Sequence, residues 1–280
     1  MPYRKSIIFL LTVFILPSFS CGKTPVKNSV SVGRDSSGNT VRTRFSVPSG
    51  YIKVTPKKNS FADYLQNLPL KRDGAKVYYY DGREKTKDVH AGVVDIDIGK
   101  KDLQQCADAI MRLRAEYLYG QELYDDIHFN FTSGFNAEYS KWREGYRIII
   151  NGNKVSWSKK FGESTTYEEF RSYLDIVFTY AGTLSLEKEL KPKKISEMEI
   201  GDVFIKGGSP GHAVIVVDMA VNEKTGEKIF LLAQSYMPAQ NIHILKNPVN
   251  PDLSPWYSSD FGETLETPEW SFKNYQLKYF

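Results

Sequence analysis

Between Val203 and Leu245 the sequence repeats one pattern four times. Val203–Ile205, Ala213–Val217, Ile229–Ala233 and Ile242–Leu245 are short apolar or β-branched runs split by turn residues. Runs of this length, bounded by Gly, Pro, Asn and Ser, read as consecutive strands. Ahead of them lies the strongest helical pattern in the chain, Asp102 to Tyr119. There Leu103, Cys106, Ile110, Leu113 and Tyr117 recur at 3–4 spacing and share one face. Helices followed by a block of strands predict an α+β domain with a mainly antiparallel sheet.

The flanking segments predict the organisation around that core. Arg4 and Lys5, the apolar run Ile7–Leu16 and the stretch Pro17 to Ser20 follow the charge–apolar–small order of a secretory signal. The run has about half the ~20 apolar residues that a membrane helix needs. Cys21 directly after it resembles the lipidated cysteine of a bacterial lipoprotein, although Ser18 stands where such signals usually carry Leu. Residues 1–20 are thus read as a signal peptide and 21–40, rich in Ser, Asn, Gly and Lys, as a flexible tether. Residues 41–280 are read as one α+β domain, starting with a short strand at Val41–Val47. Strands are also expected at Val77–Tyr80, Val89–Ile98, Ile127–Phe131 and Tyr146–Ile150. Asn151-Gly152 suits a hairpin turn, and Tyr167–Tyr180 suits a helix opened by Thr165 or Thr166. Loss of Arg4 and Lys5 with the leader lowers the net charge from +4 to +2. With no Lys/Arg cluster, this leaves no nucleic-acid footprint.

The chain has two cysteines. If Cys21 carries lipid, Cys106 is the only free thiol. Cys106 falls in the first turn of its helix, where unpaired backbone N–H groups and the helix dipole favour a thiolate. Against this, it lies on the apolar face, and free cysteine is commonly buried. His212 follows the small-residue loop Gly207-Gly208-Ser209-Pro210-Gly211 and opens the strand Ala213–Val217. A helix packed on the sheet would bring the two together as nucleophile and base. No His-Glu-x-x-His motif, paired-cysteine spacing or phosphate-binding glycine loop occurs, so neither metal nor cofactor is expected.

Gly201-Asp202-Val203-Phe204 and Gly211-His212-Ala213-Val214-Ile215 resemble the strand–loop–histidine motif of NlpC-like cysteine peptidases and amidases. That resemblance implies a papain-like fold, with Cys106 on a helix and His212 on a strand. A polar residue on the next strand would orient the imidazole: Gln234, or Asp218 as the alternative. Cys106 N–H with the Gln105 or Gln104 side chain would hold the oxyanion. Ala107-Asp108 replaces the Ser-Gly usual after the cysteine. The 106-residue gap between Cys106 and His212 makes residues 121–195 an insertion, a lid or cleft wall. From about Arg44 onward the chain also resembles an uncharacterised Bacteroidetes-type lipoprotein family. The segments Phe61–Leu70, Asp102–Asp108 and Gln234–Gln240 carry that likeness.

Together these imply a thiol hydrolase of the cell envelope, cutting an amide such as that of a cell-wall peptide. It would be anchored by lipid to the periplasmic face of the outer membrane. A catalytically inactive module binding glycan or protein, and an acyltransferase or lipid amidase, are the competing expectations.

Overall fold

The computed structural model describes residues 1–3 and 32–280. Residues 4–31, with most of the expected signal peptide, Cys21 and most of the expected tether, lie outside the described residues. The six helices are α1 Val41–Arg44, α2 Phe61–Gln66, α3 Cys106–Gly120, α4 Tyr139–Arg143, α5 Tyr167–Tyr180 and α6 Thr183–Glu189. Strands β1 Tyr51–Lys53 and β2 His90–Val93 precede α3. After it come the hairpins β3 His128–Asn130 with β4 Asn136–Glu138, and β5 Tyr146–Asn151 with β6 Lys154–Lys159, then β7 Lys191–Pro192. The last part holds β8 Val203–Lys206, β9 His212–Asn222, β10 Lys228–Gln234 and β11 His243–Leu245. It closes with β12 Tyr257–Ser258, β13 Thr264–Glu266, β14 Ser271–Lys273 and β15 Leu277–Tyr279.

The four expected C-terminal strands are β8 to β11, and they form the centre of the main sheet. Its order is β2-β11-β10-β9-β8-β15-β7, with β1 added to β9 and β12 to β10. Every strand pair in it is antiparallel. The 11-residue β9 is the backbone of the domain: its first half pairs with β8 and its last residues with β1. Residues 213–217 of β9 are fully buried on both sides, which explains why that run lacks polar–apolar alternation. The protein is thus α+β with a mainly antiparallel sheet, and α3 packs on β9.

Four local expectations change. Val77–Tyr80 makes only isolated bridges, Tyr78 to Glu84 and Tyr79 to Gln240, rather than a strand. Val41–Val47 is not a strand: the Thr40 hydroxyl accepts the Thr43 N–H, the Thr43 hydroxyl accepts the Thr40 N–H, and this capping box turns Val41–Arg44 into helix. Residues 32–40, expected as part of a tether, are docked on the domain: Arg34 bridges to Phe45 and Thr40 to Pro69. Val89–Ile98 forms a ladder only at His90–Val93; beyond the isolated bridge at Val94 the chain leaves the sheet. Two expectations hold closely. The hairpin turns between Ile150 and Val155 as expected, with Gly152-Asn153 as its two turn residues because Asn151 pairs with Lys154 at the end of β5, and Thr166 caps α5 through the Glu169 N–H.

Residues 121–195 form the two small hairpins with α4, α5 and α6. They carry their own aromatic core. Tyr139, Phe170 and Tyr173 are fully buried, with ring centroids 5.1–5.4 Å apart between Tyr139 and the other two.

Candidate functional site

Helix α3 starts later than its apolar pattern suggests, and this sets the site. The cap is Gln105, not Asp102: the Asp108 carboxylate accepts the Gln105 N–H at 3.0 Å, so Cys106 becomes the first helical residue. Asp102 instead braces the turn before the helix. Its carboxylate accepts the Ala239 N–H at 2.7 Å and the Gln105 side chain at 3.1 Å. Ser235 Oγ reaches the Gln104 carbonyl at 3.0 Å. The helix start is therefore tied to the loop after β10, and Asp102–Asp108 meets Gln234–Gln240 in space.

Cys106 lines a cleft of about 370 Å³ with Gln105 and Asp108. The end of α5, the start of α6 and the loop Gly208–Gly211 form the facing wall. The segment 121–195 thus supplies one side of the cleft. Gly211 has to be glycine: a Cβ there would sit 2.4 Å from Thr183 Oγ1 and 2.5 Å from the Gly208 carbonyl. That close approach is what brings the loop against α6.

The Ala213 N–H, one residue past His212, is among the groups that hold the Cys106 thiol pKa down. The Tyr236 ring lies 4.7 Å from the His212 ring. Gln234 occupies the expected third position. Its Oε1 lies 2.8 Å from His212 Nε2.

A buried chain of polar groups fixes how that contact is made. Gln234 Nε2 donates to Glu269 Oε2 at 2.8 Å. It also lies 3.3 Å from His243 Nε2. His243 Nδ1 faces the Asn241 carbonyl at 2.9 Å and must donate to it, so His243 Nε2 is an acceptor. Both amide hydrogens of Gln234 are thus committed, and its oxygen is what remains for His212. His212 Nε2 therefore carries the proton, and Nδ1 is the basic nitrogen. Glu269 is in turn gripped by Lys85 Nζ at 2.8 and 2.9 Å, with both side chains buried.

Electrostatics set the resting protonation. Burial, then the neighbouring Asp108, push the Cys106 thiol up to about 11; N–H groups of Ala107, Ala213 and Cys106 itself pull the other way. The helix start therefore does not lower the thiol pKa as position alone suggests, because desolvation of a side chain 8% exposed outweighs it. Burial drops His212 to about 4 and His243 to about 3. Burial also raises Asp108 to about 8, and its Oδ1 has no partner among the described residues. Near neutral pH, thiol, imidazole and Asp108 are all uncharged.

Two expected residues lie elsewhere. Asp218 does not orient His212: it sits six residues further along β9, bound by Lys53 Nζ at 2.7 Å and Gln66 Nε2 at 2.5 Å. Gln104 lines a second cavity rather than the thiol cleft, whereas Gln105 does line the cleft. Lys85, His243 and Glu269 had no sequence signal as site residues. Only His243, opposite Gln234 in the β10–β11 register, was open to inference from strand pairing. Among the described residues no group of three side chains suits a metal ion.

Fold and site define an α+β protein with a cleft lined by Cys106 and a buried histidine–glutamine pair that starts one residue beyond the cleft's Gly211. The chain belongs to the family described as domain of unknown function (4846), which matches residues 41–279. No curated protein and no solved structure matches it.

Proposed function

We propose that this protein is a thiol hydrolase of amide bonds, with the papain-like order of cysteine on a helix, histidine on a strand and a polar orienter on the next strand. The observation that carries the reading is the locked contact between Gln234 Oε1 and His212 Nε2–H, next to the cleft that Cys106 lines. A histidine held in one tautomer, with its other nitrogen left basic, is what a nucleophile–base–orienter arrangement requires. Nδ1 of His212 takes the Cys106 proton as sulfur attacks the amide carbonyl carbon. Cys106 N–H and the Gln105 side chain stabilise the oxyanion. The C–N bond then breaks, His212 returns the proton to the leaving amine, and a thioester remains. Water, deprotonated by His212, cleaves the thioester to a carboxylic acid and free thiol. Because the resting pair is neutral, proton transfer accompanies attack rather than preceding it.

The test is cleavage of cell-wall peptides, read by mass spectrometry as new amine and carboxyl ends. Cys106→Ser and His212→Ala should each lower the rate by roughly 10³-fold or more. Cleavage that survives Cys106→Ser would rule the mechanism out, and turnover confined to lipid esters or amides would move the protein to the acyltransferase and lipid-amidase class. A second reading, an inactive module that binds envelope glycan or protein, is favoured by the raised thiol and depressed imidazole pKa values. It requires that Cys106→Ser leave any cellular phenotype intact.

We also infer that the protein works at the periplasmic face of the outer membrane, held there by lipid on Cys21. The leader pattern supports this. Labelled palmitate should enter the wild-type protein in bacteria and be lost in Cys21→Ala; equal labelling of both would refute the anchor.

A further inference from the structure

A second cavity of about 300 Å³ adjoins the thiol cleft and shares its walls Leu103 and Phe178. Two of its wall residues each carry a buried donor with no partner among the described residues. The first is Gln104, 1% exposed, whose Nε2 has no hydrogen-bond partner among the described residues. Rotating the carboxamide would not help, because its Oε1 accepts from Arg112 Nη1 at 2.9 Å. Arg112 is itself held by Glu116 at 2.5 Å and by the Asp97 carbonyl. The second donor is Arg171 on α5, whose Nη1 is likewise buried and unpartnered. Burial and the nearby Arg112 charge both disfavour its cation. Leaving such donors unpaired costs about 1–3 kcal/mol each, and more for a charged one. Two of them in one cavity wall are more readily explained by an absent acceptor than by packing.

We propose that this cavity is a carboxylate-binding subsite, in which Gln104 Nε2 and Arg171 Nη1 each donate to one oxygen of a substrate monoanion. A planar guanidinium and a carboxamide N–H match a planar carboxylate. A phosphate dianion fits less well, because the carboxylates of Asp97 and Asp175 share the cavity with Lys100, Lys101 and Arg171, a formal excess of only one positive charge. The shared walls then set what the enzyme cuts. A substrate anchored here by its carboxylate extends past Leu103 and Phe178 into the cleft of Cys106. The preferred substrate is an amide with a free carboxylate close to the scissile bond, such as a peptide C-terminus or an acidic side chain. The position of the scissile bond rests on the hydrolase reading; the carboxylate site does not.

The test uses the full chain carrying Cys106→Ala, which cannot turn over, and ligand-observed NMR. N-acetyl-alanyl-alanine and its C-terminal amide are titrated separately, then acetate and inorganic phosphate compete for the acid. The acid should bind at least about ten-fold more tightly than the amide, as expected for loss of one charge-assisted hydrogen bond. Arg171→Gln, or Gln104→Glu as a second variant, should erase that preference while leaving the unfolding midpoint close to that of the parent. Equal affinity for acid and amide, no binding of the acid in the millimolar range, or an unchanged preference in both variants would overturn the site. Phosphate displacing the acid better than acetate would overturn its assignment to carboxylates. Acid selectivity without any amide cleavage by the wild-type protein would retain the subsite and remove the hydrolase reading.

Discussion

Lys85→Met should destabilise the protein by about 3–5 kcal/mol, the range for removing one partner of a buried ion pair. The Lys85 and Glu269 side chains are 4% and 8% exposed, and Lys85 Nζ reaches both carboxylate oxygens. Without it, Glu269 keeps the Gln234 amide and a distant Lys87 at 3.8 Å that is largely in solvent. Neither replaces a contact cation in a desolvated site. Denaturant unfolding at neutral pH is the measurement, with the midpoint falling and the slope unchanged. Lys85→Met with Glu269→Leu should lose less than Lys85→Met alone, since no charge is then stranded. A loss below about 1 kcal/mol in the single variant would place this pair with ordinary surface salt bridges. The double variant also frees one amide hydrogen of Gln234, so it separates the ion pair's role in stability from its role in holding the His212 tautomer.

Asp108→Asn should stabilise the protein increasingly as pH rises. Asp108 has its folded pKa raised to about 8 from 3.8. Between those values the folded state keeps a proton that the unfolded state has lost, so stability falls with rising pH in that window and is level above it. Asparagine removes the effect. The advantage of the variant over wild type should therefore grow between about pH 5 and 8, by at most about 1.4 kcal/mol per pH unit, and then level off. His212 and His243 act with the opposite sign: both are held neutral by burial, so they lower stability as pH falls below 6.5. They are present in both proteins and cancel in the difference. Glu189, raised to about 7 by burial, cancels likewise. Urea midpoints at several pH values between 5 and 9 provide the check. A constant difference would mean that Asp108 is ionised throughout.

Much of the scaffold was legible because it depends on local pattern. The buried runs of β8, β9, β10 and β11 are continuous in sequence, and a strand pinned on both faces has few alternatives. The β5–β6 turn, one residue past the expected Asn151-Gly152, and the Thr166 cap follow from backbone preferences of Gly152 and Thr166. The misread elements are those where a neighbour overrides the pattern. Val41–Arg44 has a strand-like composition, yet the Thr40–Thr43 capping box makes it helical. Asp102 looks like a cap, yet its carboxylate is drawn to the Ala239 N–H, 137 residues away, and leaves Gln105 to start the helix.

The site divides along the same line. Cys106, His212 and Gln234 were candidates in the sequence; His212 and Gln234 stand at the ends of β9 and β10, whereas Cys106 becomes the helix start only because Asp108 accepts the Gln105 N–H. Their electrical state was not legible there. A helix start argues for a low thiol pKa, but burial and Asp108 reverse it, and burial is a sum over residues brought in from α5, α6 and the loop before β9. The same holds for Lys85, Glu269 and His243, which lie 149, 35 and 9 residues from Gln234. Sequence alone determined which residue types stand at element ends. Only the tertiary structure decided which donors and acceptors they meet and how much water remains, because hydrogen bonding and desolvation act through space between segments with no local signature in common.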